Sequence, residues 1–75
     1  MPELRVLSGQ EVCRLLAEHG YAEVRQRGSH IIMQRQSFTG TTTVPVPVHR
    51  ELKRGTLLSI IRQSGLPRAS FEVER

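Results

Sequence analysis

One histidine of this sequence stands in a setting that is suited to phosphate chemistry. His30 follows Arg25, Arg27 and the pair Gly28 and Ser29. An imidazole both accepts and donates protons near neutral pH, and arginine is well shaped to bind phosphate oxygens. Gly28 allows close approach of a ligand, and Ser29 offers a hydroxyl group to a phosphate oxygen. The segment therefore predicts a site at which His30 transfers protons and its neighbours bind phosphate, although an ordinary surface histidine at a tight turn is the alternative.

Metal-dependent chemistry is not expected at this site. No acidic residue occurs between Val24 and Arg50, and the single cysteine, Cys13, is not grouped with the three histidines at metal-ligand spacing. No Walker-type or dinucleotide-binding glycine motif is present. A nuclease built on these residues would therefore be metal-independent. RNA permits such a mechanism, because its 2′-hydroxyl group can attack the adjacent phosphate while the protein moves protons and stabilises charge.

Other residues have weaker claims to a chemical role. His49 could be a second acid or base, although packing in a loop is the alternative. His19 is expected to be structural at the end of a helix, and Cys13 is expected to be an inert packed thiol. Lys53 and Arg54 precede a predicted helix, whose positive N-terminal end favours phosphate. The alternative for this pair is an ordinary solvated surface.

Charge is distributed unevenly along the 75 residues. The chain has 11 Lys and Arg against 7 Asp and Glu, and its formal net charge is +4. Residues 25–62 contain seven basic residues and one acidic residue. This concentration favours a nucleic-acid partner, although a solubilising surface is the alternative. Aromatic residues make up only 4% of the chain, which argues against a platform of aromatic rings for stacking bases.

The length predicts a single domain over residues 1–75, with one modest core. No apolar run approaches the roughly 20 residues that span a bilayer, and the first residues do not resemble a signal peptide. One cysteine cannot form an internal disulfide bond. The cytoplasm is the expected compartment.

The hydrophobic pattern predicts an α+β fold in the order helix, three antiparallel strands, helix. Ser8 and Glu11 form a capping-box pattern before a helix over 9–19, which Gly20 ends. Strands are predicted over 21–26, 30–35 and 41–46, with turns at Gly28 and at 36–40. Pro45 indicates that the third strand lies at an edge of the sheet or that Pro45 is near the end of this strand.

A second helix is predicted after residues 50–54, ending at Gly65, and a short final turn over 68–71 with Pro67 at its first position. Both helices are expected to cover one face of the sheet, which leaves the other face open to a partner.

Four stretches, in this order, give the chain a family resemblance. They are Leu7–Val12, Val24–His30 with its Gly-Ser-His element, Thr43–His49, and Leu52–Leu57 followed by Ile60–Leu66. In these stretches the chain resembles the HicA-type toxins of toxin–antitoxin pairs. The resemblance implies a fold similar to the double-stranded-RNA-binding domain and a toxin that cleaves messenger RNA independently of translation. No cofactor is expected. The resemblance also implies that His30 is the catalytic residue and that a cognate HicB-like antitoxin inhibits the protein.

Two other functions are compatible with the same residues. A non-catalytic module of the double-stranded-RNA-binding type would use Arg25, Lys53 and Arg54 but would not need His30. A domain that only binds a protein partner would need neither His30 nor these three basic residues. The effect of replacing His30 separates these possibilities from a ribonuclease.

Overall fold

A computed structural model describes residues 2–73 and contains two helices, a three-stranded sheet and a final 3₁₀ helix. The elements are α1 (Gly9–Ala17), β1 (Ala22–Arg27), β2 (His30–Ser37), β3 (Gly40–Pro47), α2 (Arg54–Ser64) and the 3₁₀ helix (Arg68–Phe71). This order confirms the predicted helix–three strands–helix architecture.

The first helix begins at the predicted capping box and ends two residues earlier than expected. The Ser8 hydroxyl accepts a hydrogen bond from the Glu11 amide, and the Glu11 carboxylate accepts one from the Ser8 amide, at 3.1 and 2.9 Å. At the other end the chain tightens, because the amide groups of His19 and Gly20 donate to carbonyl groups three residues earlier. The prediction that α1 extends to His19 is therefore wrong, since the bonding has changed to the 3₁₀ type there.

Two tight hairpins join the strands in the order β1-β2-β3, and both pairs are antiparallel. Gly28, at φ 57°, begins the two-residue turn between β1 and β2, as expected. The second turn contains only Phe38 and Thr39, so β2 and β3 are longer than predicted. The predicted turn over 36–40 is too long because Gly40, at φ 129°, begins β3 instead of lying within the loop.

The two faces of the sheet have different surroundings. Ile31, Met33, Val44 and Val46 belong to the buried cluster that also contains the apolar residues of both helices. Because side chains alternate along a strand, His30 at the start of β2 lies on the opposite face. We call that opposite side the outer face. The helices thus cover one face, as predicted, and the side chains of the outer face are exposed or half-buried except for Ile32, which is buried.

The second helix ends as the sequence predicts. Gly65 is its C-cap at φ 70°, a left-handed conformation that glycine adopts without strain. Pro67 is the N-cap of the 3₁₀ helix and not its first residue, a shift of one position from the prediction. The Tyr21 hydroxyl donates to the Ser64 carbonyl at 2.8 Å and so ties the end of α2 to the start of the sheet.

Candidate active site

His30 is the first residue of β2 and is exposed to solvent. It pairs with Arg27 of β1 on one side and with Pro47 of β3 on the other. The central position of β2 therefore places this histidine at the end of the sheet with a strand on each side. A ligand lying on the outer face at this end can reach its imidazole.

Backbone contacts hold the turn that precedes His30. The Val48 amide donates to the Ser29 carbonyl at 2.7 Å, and the Gln26 side chain donates to the Gly28 carbonyl at 3.1 Å. The Ser29 hydroxyl lies 3.4 Å from Nδ1 of His30, at the long end of hydrogen-bond distance. Gly28 and Ser29 are thus next to the imidazole, where the sequence predicts them.

The register of β1 against β2 determines which arginines accompany His30. Starting at the turn, Arg27 pairs with His30 and Arg25 with Ile32 without interruption. A β-bulge follows only beyond Arg25, where Glu23 pairs with Met33, so it leaves the two arginines where the turn places them. Arg25 and Arg27 therefore lie on the outer face with His30.

A groove of about 430 Å³ opens beside His30 where α2 passes the edge strand β3. The strand side of this groove is lined by His30, Pro45 and Pro47. The helix side is lined by Gly55, Thr56, Ser59, Ile60 and Gln63. We call this space the His30 groove.

The start of α2 presents backbone amide groups near the His30 groove. Its N-cap, Lys53, makes no side-chain capping bond, and its first turn contains no acidic residue. Gly55 and Thr56 of that turn line the groove, and the space where a Cβ of Gly55 would lie is empty. A helix N-terminus that has no side-chain cap and that a ligand can reach favours the binding of anions such as phosphate.

The structure does not bring all of the predicted phosphate-binding residues to one place. Lys53 is exposed at the start of α2, two residues before Gly55, the first residue of this helix that lines the His30 groove. Arg54 instead lines a different groove, with Arg5 and Glu51 among its neighbours. The predicted role of Arg54 therefore stays a prediction without support from its position.

The other two histidines lie apart from the groove. His49 lines a separate depression with Ser8 and Arg50, and its carbonyl group accepts a hydrogen bond from the Gly9 amide at 2.9 Å. Nδ1 of His19 lies 3.0 Å from the Leu15 carbonyl, a contact within one helical turn. The expected structural role of His19 agrees with this contact.

The helix side of the groove contains residues that the sequence alone did not single out. Thr56, Ser59 and Gln63 recur at spacings of three and four residues, which places them on one stripe of α2. That polar stripe could have been noticed between the apolar positions of the helix. Its position beside His30 could not, because it depends on how α2 packs against β3.

Within residues 2–73, no three His, Cys, Asp or Glu side chains lie close enough together to bind a metal ion jointly. Over the same range, none of the helices has the length and apolar character needed to cross a membrane.

Comparison with known proteins identifies the family to which this chain belongs. No curated protein matches the sequence. A family model described as the HicA toxin of bacterial toxin–antitoxin systems matches residues 9–66, a range that includes His30, the bulged strand and the groove-lining part of α2. Since the match covers more than half of the sequence, the chain belongs to the HicA toxin family.

Proposed function

We propose that this protein is a toxin that cleaves messenger RNA in the cytoplasm, with His30 as the catalytic acid or base. The observation that supports this most directly is the position of His30. It is exposed on the outer face next to Arg27, and it shares a groove with the uncapped start of α2. Family membership supports the role of a toxin, for which RNA cleavage is the expected activity.

The proposed reaction is an internal transfer of the phosphate. The 2′-oxygen of a ribose attacks the adjacent phosphorus atom, and the bond from phosphorus to the 5′-oxygen of the next nucleotide breaks. One group removes the proton from the 2′-hydroxyl, and another gives a proton to the departing 5′-oxygen. The products are a 2′,3′-cyclic phosphate and a 5′-hydroxyl end. His30 performs one of these two proton transfers.

Cationic and backbone groups would bind the phosphate during this reaction. Arg25 and Arg27 lie on the same face as His30, and Lys53 stands at the uncapped start of α2. Negative charge builds up on the phosphate oxygens in the transition state, so that fixed donors aimed at it lower the barrier. Gly28 leaves room for the RNA backbone, and Ser29 can donate to a phosphate oxygen.

A cognate antitoxin of the HicB type would inhibit the toxin by covering His30. The outer face supports this part of the proposal, because Arg25, Arg27 and His30 are all exposed on it. A partner that binds there would block access of RNA to His30 and to the arginines together.

The test compares the wild type with His30→Ala, each expressed from a tightly controlled promoter. We expect the wild type to stop growth and fragment transcripts, and His30→Ala to do neither. His19→Ala, a histidine change just beyond the end of α1, is the matched control and should stay toxic. Purified protein should also cleave RNA in the presence of a chelator. Equal toxicity of the wild type and His30→Ala would overturn the assignment and favour a non-catalytic RNA-binding module.

A further inference from the structure

We infer that the His30 groove binds one unpaired nucleobase next to the cleaved phosphate, and that Ser59 and Gln63 of α2 read its edge. The protein would accordingly cleave single-stranded RNA with a base preference that α2 determines. This inference rests on the proposed function and extends it to the class of substrate.

The groove combines flat apolar surfaces with a few polar groups, as sites for small ring systems do. On the strand side, the rings of Pro45 and Pro47 lie in it, and on the helix side Thr56 and Ser59 are half-buried and Gln63 is exposed. Its volume of about 430 Å³ is within the range of pockets that hold small molecules. A planar base can therefore lie against the proline rings, although the sheet lacks aromatic residues for stacking.

Ser59 and Gln63 supply directed hydrogen-bonding groups at the helix side. The Gln63 Nε2 donates to the Ser59 Oγ at 2.9 Å, which holds the two side chains together one helical turn apart. This contact uses one amide hydrogen. Among the contacts within residues 2–73, the Gln63 oxygen, its second amide hydrogen and the Ser59 hydroxyl hydrogen stay free for a ligand. A donor and an acceptor in fixed positions can distinguish one base edge from another.

Continuity with His30 favours RNA over a protein as the occupant. The imidazole lines the same groove as Ser59 and Gln63, so a nucleotide whose phosphate reaches His30 can place its base between Pro45 and α2. A base within a duplex is stacked and paired, and its faces and pairing edge cannot enter such a groove. The occupant of the groove is therefore an unpaired nucleotide.

The test uses a pool of RNA molecules with random single-stranded segments and, beside it, a pool with the same segments paired in hairpins. Products of wild-type cleavage are sequenced to obtain the base preference on either side of the cut. We expect cleavage of the unpaired pool and a preference at one flanking position. Gln63→Ala and Ser59→Ala should still cleave, with that preference reduced roughly fivefold, as for loss of one hydrogen bond. Gln10→Ala, an exposed glutamine on α1 outside the groove, should keep the wild-type profile.

Three results would overturn the inference. The first is an unchanged preference in both α2 variants, and the second is equal or faster cleavage of the paired pool. The third is loss of antitoxin binding by Gln63→Arg with the wild-type RNA preference retained, which would assign the groove to the protein partner.

Failure of the proposed function is distinguishable from failure of this inference. If no form of the protein cleaves RNA, the proposed reaction fails. Fluorescence anisotropy with short labelled homopolymers of each base then tests the groove directly. Different affinities of the wild type for the four homopolymers, reduced to one level by Gln63→Ala, would support the base-binding groove. The same affinity for all four in both proteins would overturn it.

Discussion

Gly9, the first residue of α1, packs directly against the carbonyl group of Pro47. A Cβ atom at position 9 would overlap the Pro47 carbonyl oxygen and lie 3.2 Å from the Cα of Val48. Because Pro47 pairs with His30, this contact couples the start of α1 to the strand end at the candidate active site.

We therefore expect Gly9→Ala to reduce both stability and RNA cleavage. The overlap with backbone atoms should lower the free energy of unfolding by about 1–3 kcal/mol. Gly55→Ala is the stability control, since nothing lies within 4 Å of its added Cβ and alanine favours a helix. It should raise the free energy of unfolding by about 0.5–1 kcal/mol. Denaturant unfolding measures the free energy of unfolding of both variants. A change in the same direction for Gly9→Ala and Gly55→Ala would contradict the packing argument.

The hydroxyl group of Tyr21 should contribute measurably to stability. It is buried and donates to the Ser64 carbonyl at 2.8 Å, so Tyr21→Phe should lower the free energy of unfolding by about 1 kcal/mol. The Ser64 carbonyl also has a longer contact with the Arg35 guanidinium at 3.4 Å, which prevents a larger loss. Thr43→Val, which removes an exposed hydroxyl bond, is the control and should change stability by less than about 0.5 kcal/mol. If Tyr21→Phe and Thr43→Val lower the stability equally in thermal unfolding, the buried hydrogen bond of Tyr21 does not contribute as expected.

The capping box should make the stability of the fold depend on pH in the acidic range. Hydrogen bonds from the Ser8 backbone and side chain hold the pKa of Glu11 below its ordinary value of 4.5. A carboxyl group with a lowered pKa stabilises the fold above its ordinary pKa, and this contribution is lost as the pH falls through the folded-state value. Ser8→Ala should also cost about 1 kcal/mol at neutral pH.

Thermal unfolding between pH 7 and pH 3 measures this effect. The wild type should lose stability below about pH 4.5 more steeply than Glu11→Gln. Ser8→Ala should show only a partly reduced slope, because it removes the hydroxyl group and leaves the backbone amide that donates to the Glu11 carboxylate. The same slope in the wild type and in Glu11→Gln would show that the capping box is not the source.

Cys13 should react slowly in the folded protein. Burial raises the pKa of its thiol to about 11, and the negative charge of Glu23 adds to the shift. The reactive thiolate is therefore scarce near neutral pH, and reaction with a disulfide reagent at pH 8 should be on the order of 100-fold slower than in denaturant. Cys13→Ser gives the background signal. Equal rates in the folded and the denatured protein would contradict this expectation.

Local sequence signals predicted the elements because each signal acts within a few residues. The capping box, the left-handed Gly65 and the proline in the edge strand each impose their geometry locally, and each appears in the structure. The turn at Phe38 and Thr39 gave no such signal, since neither residue has a positive φ. Because no local signal marked the position of this turn, the predicted turn was too long and the lengths of β2 and β3 were underestimated.

The composition of the site depended on contacts that no local rule gives. His30, Arg25 and Arg27 could be selected from the sequence, because the turn at Gly28 and Ser29 fixes their pairing, but the helix side of the groove could not. The packing of α2 against β3 decides that Ser59 faces the His30 groove and that Arg54 does not. Such long-range placement depends on the whole core and not on spacing alone.

The prolines of β3 also affect how copies of this protein meet. This strand lies at the edge of the sheet, where unpaired amide groups would ordinarily recruit a strand from another molecule. Pro45 and Pro47 have no amide hydrogen, so a strand arriving from a second chain would find two donors missing along the eight residues of β3. Edge-to-edge polymerisation through β3 is thereby disfavoured, which protects the protein from fibrous aggregation at high concentration.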